Sequence, residues 1–316
     1  METAPLWLEI AEAPDTGAGY WVRTDDGLRL RIGVWVPPAR AKGTILVFPG
    51  RTEYIEKYGR TVTRLRDAGF ASLVVDWRGQ GASDRMTGER QVGHVGHFSD
   101  YQRDVAAVVE AATALDLPKP WYLMGHSLGA CIALRALSEG LRVSACAFTA
   151  PMWGINLPPQ KRAVAWPTAW LASAIGKGDA FAPGTGGQCY VLANAFDGNR
   201  LTRDPEMYAY FIRQAEALGD LQIGGPSLGW LLQALGETRR LTALPCPDIP
   251  CVTYCGTADV VVDIPTIQQR MAHWSDGTLH MIEGARHDML CETTPVRDQV
   301  ISGICNHFGG GSSPQH

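Results

Sequence analysis

Uninterrupted apolar runs that end in glycine-bearing turns, alternating with segments of helical spacing, constrain this chain more than any other feature. Thr44-Ile45-Leu46-Val47-Phe48 carries no charge and ends in Pro49-Gly50, as expected of a strand covered on both faces. Ile55, Tyr58, Val62 and Leu65 then recur at helical intervals, and Gly69 closes that helix. A strand over 71–75, a loop over 76–83 and a helix with Tyr101, Val105, Val108 and Ala112 on one face follow. A strand over 121–124, a helix from 127 to about 138 and a strand over 145–149 extend the rhythm. Such repetition predicts an α/β fold: a mostly parallel, twisted sheet with helices on both faces. Upstream, residues 20–23, the turn pair Asp26-Gly27 and the alternating Leu28, Leu30, Ile32, Val34 and Val36 predict an antiparallel hairpin. Its other face, with Arg29, Arg31 and Trp35, is expected to be half-exposed at the sheet edge.

The rhythm stops at Pro151 and returns with a strand over 251–255, a helix over 265–273, a strand over 278–282 and a last helix. Residues 151–244 are rich in Trp, Pro and Gly, with helical pieces near 163–175 and 204–218. The expected organisation is a core made of residues 1–150 and 245–308, interrupted by an inserted helical cap over 151–244. The glycine- and serine-rich tail over 309–316 is expected to be mobile. A chain of 316 residues can bury such a core. The net charge is −4 and no basic block occurs, which excludes a nucleic-acid partner.

The N-terminus lacks a basic start followed by an apolar stretch, and no apolar run is long enough to span a bilayer. The longest candidate, 163–176, is broken by Pro167. Eight cysteines without a Cys-x-x-Cys pair read as buried thiols in a reducing compartment, so a cytoplasmic location is expected. Cys251 and Cys255 share one short strand, which argues against a metal cluster with Cys246. Neither a metal nor another cofactor is expected.

Two segments match Gly-x-Ser-x-Gly: Gly125-His126-Ser127-Leu128-Gly129 and Gly225-Pro226-Ser227-Leu228-Gly229. A nucleophilic serine in this pattern sits on a sharp strand-to-helix turn, where helix N–H groups favour developing negative charge. Ser127 follows an apolar strand and opens a buried helix, so it is the candidate nucleophile. Ser227 lacks a convincing strand before it and reads as a helix N-cap. A serine hydroxyl needs an imidazole to take its proton, and the imidazole needs a carboxylate to fix its tautomer. Asp259, at the end of the strand over 251–255, is the candidate acid, with Asp263 as the runner-up. His287, in the loop after the strand over 278–282, is the candidate base. His273 and His280 are weaker, and His94, His97 and His126 read as structural or cleft-lining. The oxyanion would be held by the backbone N–H groups of Leu128 and of Arg51, the latter in the loop after the first buried strand.

These residues together resemble the monoglyceride lipase and bacterial lysophospholipase-like branch of the α/β-hydrolases. The resemblance is carried by Gly50-Arg51-Thr52-Glu53 with Lys57-Tyr58, by 76–83, by the Ser127 motif, and by His287-Asp288-Met289-Leu290 with Glu292. Gly224-Gly225-Pro226 with Gly229-Trp230 is similar to a cap segment of the bacterial members. Pro49-Gly50 followed by Arg51 stands where much of the family has His-Gly, a departure shared with the bacterial subgroup. The resemblance implies cofactor-free hydrolysis of a single-chain acyl ester under a helical cap, through an acyl-enzyme. Lysophospholipids or monoacylglycerols are the expected substrates, with small esters second. Amide, thioester or C–C hydrolysis, acyl transfer, and a silent ligand-binding role are the alternatives. Met152, Trp153 and Trp230 are the expected substrate-contacting side chains, with Trp166, Trp170 and Leu171 in the same apolar set. Peripheral contact of the cap with the inner face of a membrane, and the oligomeric state, stay open.

Overall fold

The computed structural model describes residues 1–310. Within them, β1 (Glu2–Thr3), β2 (Ala18–Arg23), β3 (Arg29–Trp35), β4 (Thr44–Phe48), β5 (Ala71–Asp76), β6 (Trp121–His126), β7 (Cys146–Thr149), β8 (Cys251–Gly256) and β9 (Gly277–Ile282) form one sheet. Its order is β1-β2-β3-β5-β4-β6-β7-β8-β9. The first three strands and the β3–β5 pair are antiparallel, and every pair from β5 to β9 is parallel. The α/β expectation holds. Leu46 and Phe48 pack into one helical layer, Ile45 and Val47 into the other, which is why β4 reads as a continuous apolar run.

The helices are α1 (Leu8–Ala11), α2 (Gly59–Asp67), α3 (Asp100–Ala114), α4 (Leu128–Ser138), α5 (Pro159–Ala174), α6 (Tyr190–Ala193), α7 (Pro205–Ala217), α8 (Leu228–Thr242), α9 (Ile264–Ala272) and α10 (Thr294–Phe308). Side chains of α3, α4 and α9 share the layer of Leu46, and those of α2 and α10 share the layer of Ile45. Strands β7 and β8 are hydrogen-bonded neighbours, Cys146 opposite Cys251, yet α5 to α8 lie between them in sequence. Two of these inserted helices are anchored to the core. Trp230, Ala234 and Leu241 of α8 join the α4 layer, while Met207, Tyr208, Tyr210 and Phe211 of α7 join the α2 layer. By contrast α5 leaves Trp166, Trp170 and Leu171 exposed, with Ile175 just beyond its end. No helix among the described residues is long and apolar enough to cross a membrane.

The expected hairpin forms, with Tyr20 opposite Ile32 and the turn passing through Gly27 at φ +85°. The half-exposure expected of β3 does not hold. β3 lies between β2 and β5, and both of its faces are covered. Arg31 is fully buried because Asp76 accepts from its Nε at 2.8 Å and Glu56 accepts from Nη1 and Nη2 at 2.8 and 2.7 Å. Trp35 is buried with its indole N–H on the Pro14 carbonyl, since the N-terminal segment folds over that face. The half-covered strands are β2, the hairpin partner of β3, and β9 at the opposite edge. At the C-terminus, Gly309 and Gly310 follow α10, and residues 311–316 of the expected mobile tail lie outside the described residues.

Candidate active site

Strand β6 runs straight into α4 through Ser127, which has φ +49° and ψ −113°. A non-glycine residue rarely adopts such a conformation, and holding it there costs about 1–3 kcal/mol. The flanking glycines make the turn possible for a steric reason. A Cβ on Gly129 would lie 1.9 Å from the Phe48 carbonyl oxygen, and one on Gly125 would lie 2.8 Å from the Ala130 backbone. The turn therefore presses the start of α4 against the end of β4. That contact brings the Pro49–Thr52 loop beside the first residue of α4, Leu128, whose N–H has no partner within the helix.

Three side chains distant in sequence meet at the C-terminal ends of β6, β8 and β9. Ser127 Oγ lies 3.0 Å from His287 Nε2, and His287 Nδ1 lies 2.7 Å from Asp259 Oδ2. Asp259 Oδ1 accepts from the N–H groups of Val261 at 2.7 Å and Val262 at 3.3 Å, which fixes the carboxylate plane. Serine, histidine and aspartate are 6%, 6% and 5% exposed. Burial opposes the charge on Asp259, but the His287 imidazole and the backbone N–H groups outweigh it and lower its pKa. Burial also opposes a charged His287, yet Asp259, helped by Asp288 and Glu53, raises its pKa. Such an array can move a proton from a hydroxyl to an imidazole and back.

The loop that carries the Arg51 N–H is clamped from the 76–83 segment. Trp77 Nε1 donates to the Pro49 carbonyl at 2.9 Å, Gln80 Nε2 to the Gly50 carbonyl at 3.1 Å, and Gln80 Oε1 accepts from Thr52 N–H at 3.1 Å. Glu53 accepts the Gly50 N–H and, at 2.6 Å, the Tyr58 hydroxyl. Lys57 then bridges Glu53 to Asp288 Oδ2, the latter at 2.5 Å. The 49–53 loop and the loop that carries His287 are thus tied through one ammonium. Burial opposes the Lys57 charge, but Asp288 and Glu53 raise its pKa further. Sequence reading gave Glu53, Lys57 and Asp288 no role. The i,i+4 spacing of Glu53 and Lys57 was the available signal, but nothing local couples them to residue 288.

Ligand atoms of Glu53, His126 and Asp288 converge within 4.8 Å. The Lys57 ammonium is bonded to both carboxylates, so it fills the cation's place and the group does not suit a metal. His126 Nδ1 lies 3.1 Å from the Thr149 carbonyl, to which it can only donate, and 3.0 Å from the Thr149 hydroxyl, and its ring lies 5.0 Å from that of His287. Burial lowers its pKa despite Glu53, favouring the neutral form.

The weaker candidates fall elsewhere. Asp263 is the N-cap of α9 and accepts from the Thr266 hydroxyl at 2.7 Å. His280 stacks on Tyr254 at 4.9 Å, and His273 ends α9. Ser227 is the N-cap of α8, accepting from Trp230 N–H at 2.9 Å. Of the expected substrate contacts, Met152 donates its N–H to the Ser127 carbonyl at 3.0 Å. Trp153 sends its indole N–H to the Ala130 carbonyl and stacks on Trp274. With Trp166 and Leu235 it lines a cavity of about 290 Å³ that none of the three hydrogen-bonded residues borders. Trp230 donates to the Tyr101 hydroxyl at 3.2 Å and lies beneath the Arg51 guanidinium.

Residues 39–294 match the serine aminopeptidase S33 family over most of the chain. The chain belongs to this family. Lysophospholipase L2 of Escherichia coli strain K12 is 28% identical over 283 residues, covering 85% of this chain and 81% of that protein. A monoacylglycerol lipase of Mycolicibacterium smegmatis is 26% identical over 294 residues, covering 89% of this chain and 95% of that protein. A soluble variant of monoglyceride lipase from Saccharomyces cerevisiae, solved with a substrate analog, shares the fold. Its TM-score is 0.71 at 18% identity, with 92% of this chain and 95% of that chain covered. This S33 member is therefore an α/β-hydrolase of the lipase and lysophospholipase branch, and a serine hydrolase of the lipase and esterase kind.

Proposed function

We propose that the chain hydrolyses carboxylic esters of single-chain lipids, lysophospholipids or monoacylglycerols, through an acyl-enzyme on Ser127. The observation that carries this reading is the continuous hydrogen-bonded path Asp259–His287–Ser127, at 2.7 and 3.0 Å. His287 Nε2 takes the hydroxyl proton as Oγ attacks the ester carbon. The carbonyl electrons move to oxygen, and the N–H groups of Arg51 and Leu128 hold the resulting anion. Collapse expels the alcohol, which leaves with the proton from His287. Water then repeats the sequence on the acyl-enzyme, releasing the fatty acid and restoring the serine. Asp259 keeps the proton on His287 Nδ1 throughout and stabilises the imidazolium.

The single-chain lipid assignment is supported by the names of the bacterial relatives and by the apolar surface of the inserted segment. Trp166, Trp170, Leu171 and Ile175 project outward together, the kind of face that rests on a lipid surface where such esters are found. In this reading residues 151–244 act as the cap, and substrate enters beneath it. The test is a substrate panel: p-nitrophenyl esters of rising chain length beside lysophosphatidylcholine and monoacylglycerol. Turnover rising with chain length and reaching the two lipids is expected. Indifference to chain length, with neither lipid cleaved, would contradict the lipid assignment.

A further inference from the structure

Two buried arginines, Arg31 and Arg78, contrast with Arg51. Arg31 is buried against two carboxylates, Asp76 and Glu56. Arg78 is buried against Asp104 and reaches Asp26. Arg51 has no such partner: among the described residues no carboxylate lies within ion-pair distance of it. Its side chain leaves the oxyanion loop towards the inserted segment, where Nη2 donates to the Gly224 carbonyl at 2.9 Å. The guanidinium lies over the Trp230 ring, 5.1 Å from its centroid. Its Nη2 also packs on Gly93, where an added Cβ would come within 2.3 Å. Nε is shielded from water and has no hydrogen-bond partner.

A sheltered guanidinium left without an anion is costly. Fastening the inserted segment to the core would need only the Gly224 bond and the Trp230 face, and would leave Nε without an acceptor. We propose that Arg51 recognises the phosphate of a lysophospholipid head group, while the N–H of the same residue serves the ester oxyanion. The proposal rests on the ester-hydrolase reading above and names which of its substrates the site prefers. One glycerol unit separates the ester carbonyl from the phosphate in such a lipid. The side chain and backbone N–H of one residue are separated on the same scale. A guanidinium offers a planar fork of donors that matches phosphate oxygens, and Nε is part of that fork. Burial lowers the Arg51 pKa only to about 10, so the group is charged near neutrality.

The test measures kcat/KM for a lysophospholipid and for a monoacylglycerol of the same acyl chain, in the parent protein, Arg51→Gln and Arg51→Lys. Arg51→Gln is expected to lose at least about tenfold more on the lysophospholipid than on the neutral lipid, and Arg51→Lys to recover part of that difference. Equal losses on both lipids would overturn the proposal and leave Arg51 as a fastening for the inserted segment. A second measurement needs no variant. sn-Glycerol 3-phosphate should competitively inhibit cleavage of p-nitrophenyl butyrate by the parent, and glycerol should not. Inhibition by inorganic phosphate as strong as by glycerol 3-phosphate would indicate a free-phosphate site and overturn the head-group assignment. Absence of inhibition by either would overturn it as well. A parent protein that cleaves neither lipid would remove the lipid-ester reading itself. A parent that cleaves both, with an unselective Arg51→Gln, would remove only the role of Arg51.

Discussion

The segments Gly125–Gly129 and Gly225–Gly229 satisfy the same five-residue pattern, and each serine touches a histidine. Ser127 Oγ is 3.0 Å from His287, and Ser227 Oγ is 2.7 Å from His94. The backbone separates them. Ser127 is strained at φ +49° between a strand and a helix, whereas Ser227 sits at φ −72° and ψ 161°, ordinary extended geometry. Ser227 is fully buried and its oxygen is engaged by the Trp230 N–H. The histidines differ as well. His287 is bonded to Asp259 and its pKa is raised. Burial lowers that of His94, and the charge of Asp179 only partly offsets it. A serine–histidine contact is thus common to a cap and to the proposed catalytic array. A strained turn and a third, carboxylate member distinguish the array.

The sharpest way to break this comparison is to remove each serine in turn. Ser127→Ala should lower kcat by about 10⁵–10⁶ in an ester assay, whereas Ser227→Ala should stay within a few-fold of the parent. Next in size is the carboxylate, which is hydrogen-bonded to only one of the two histidines. Asp259→Asn should cost about 10⁴ in kcat, while Asp179→Asn, beside His94, should change turnover little.

The acid limb of the pH profile sharpens the comparison further. The proposed mechanism needs neutral His287, whose pKa is raised, so kcat/KM should fall as pH drops through that raised value. Asp288 is one of the anions favouring the imidazolium. Asp288→Asn should therefore move the acid limb to lower pH, and His94→Gln should leave it in place. Steady-state profiles of the three proteins decide it. The smallest effect belongs to the cap itself. Ser227→Ala removes an N-cap bond and should cost about 1 kcal/mol of stability, read by urea unfolding.

The parallel part of the sheet was legible because a strand covered on both faces carries a charge only where a buried partner neutralises it, so β4 and β5 up to Asp76 declare themselves by composition. The order serine, aspartate, histidine after β6, β8 and β9 made the 127–259–287 convergence legible too. What sequence did not reveal were charges neutralised from far away. Arg31 looked solvated beside Arg29 because Glu56 and Asp76, which bury it, lie many residues on. The Lys57 bridge to Asp288 is hidden for the same reason. The full length of α8 was also missed. Its polar positions Gln233, Glu237, Arg239 and Arg240, of which Glu237 is buried against Arg135 of α4, obscure an inner stripe of Trp230, Ala234 and Leu241.

The central claim is that the strained serine, and not the capping one, is the nucleophile. Reaction of the intact protein with a fluorophosphonate, followed by mass mapping of the labelled peptide, tests this directly. A single adduct on Ser127, formed faster as pH rises through the His287 transition, is the predicted result. An adduct on Ser227, or an unlabelled protein that still hydrolyses esters, would contradict it.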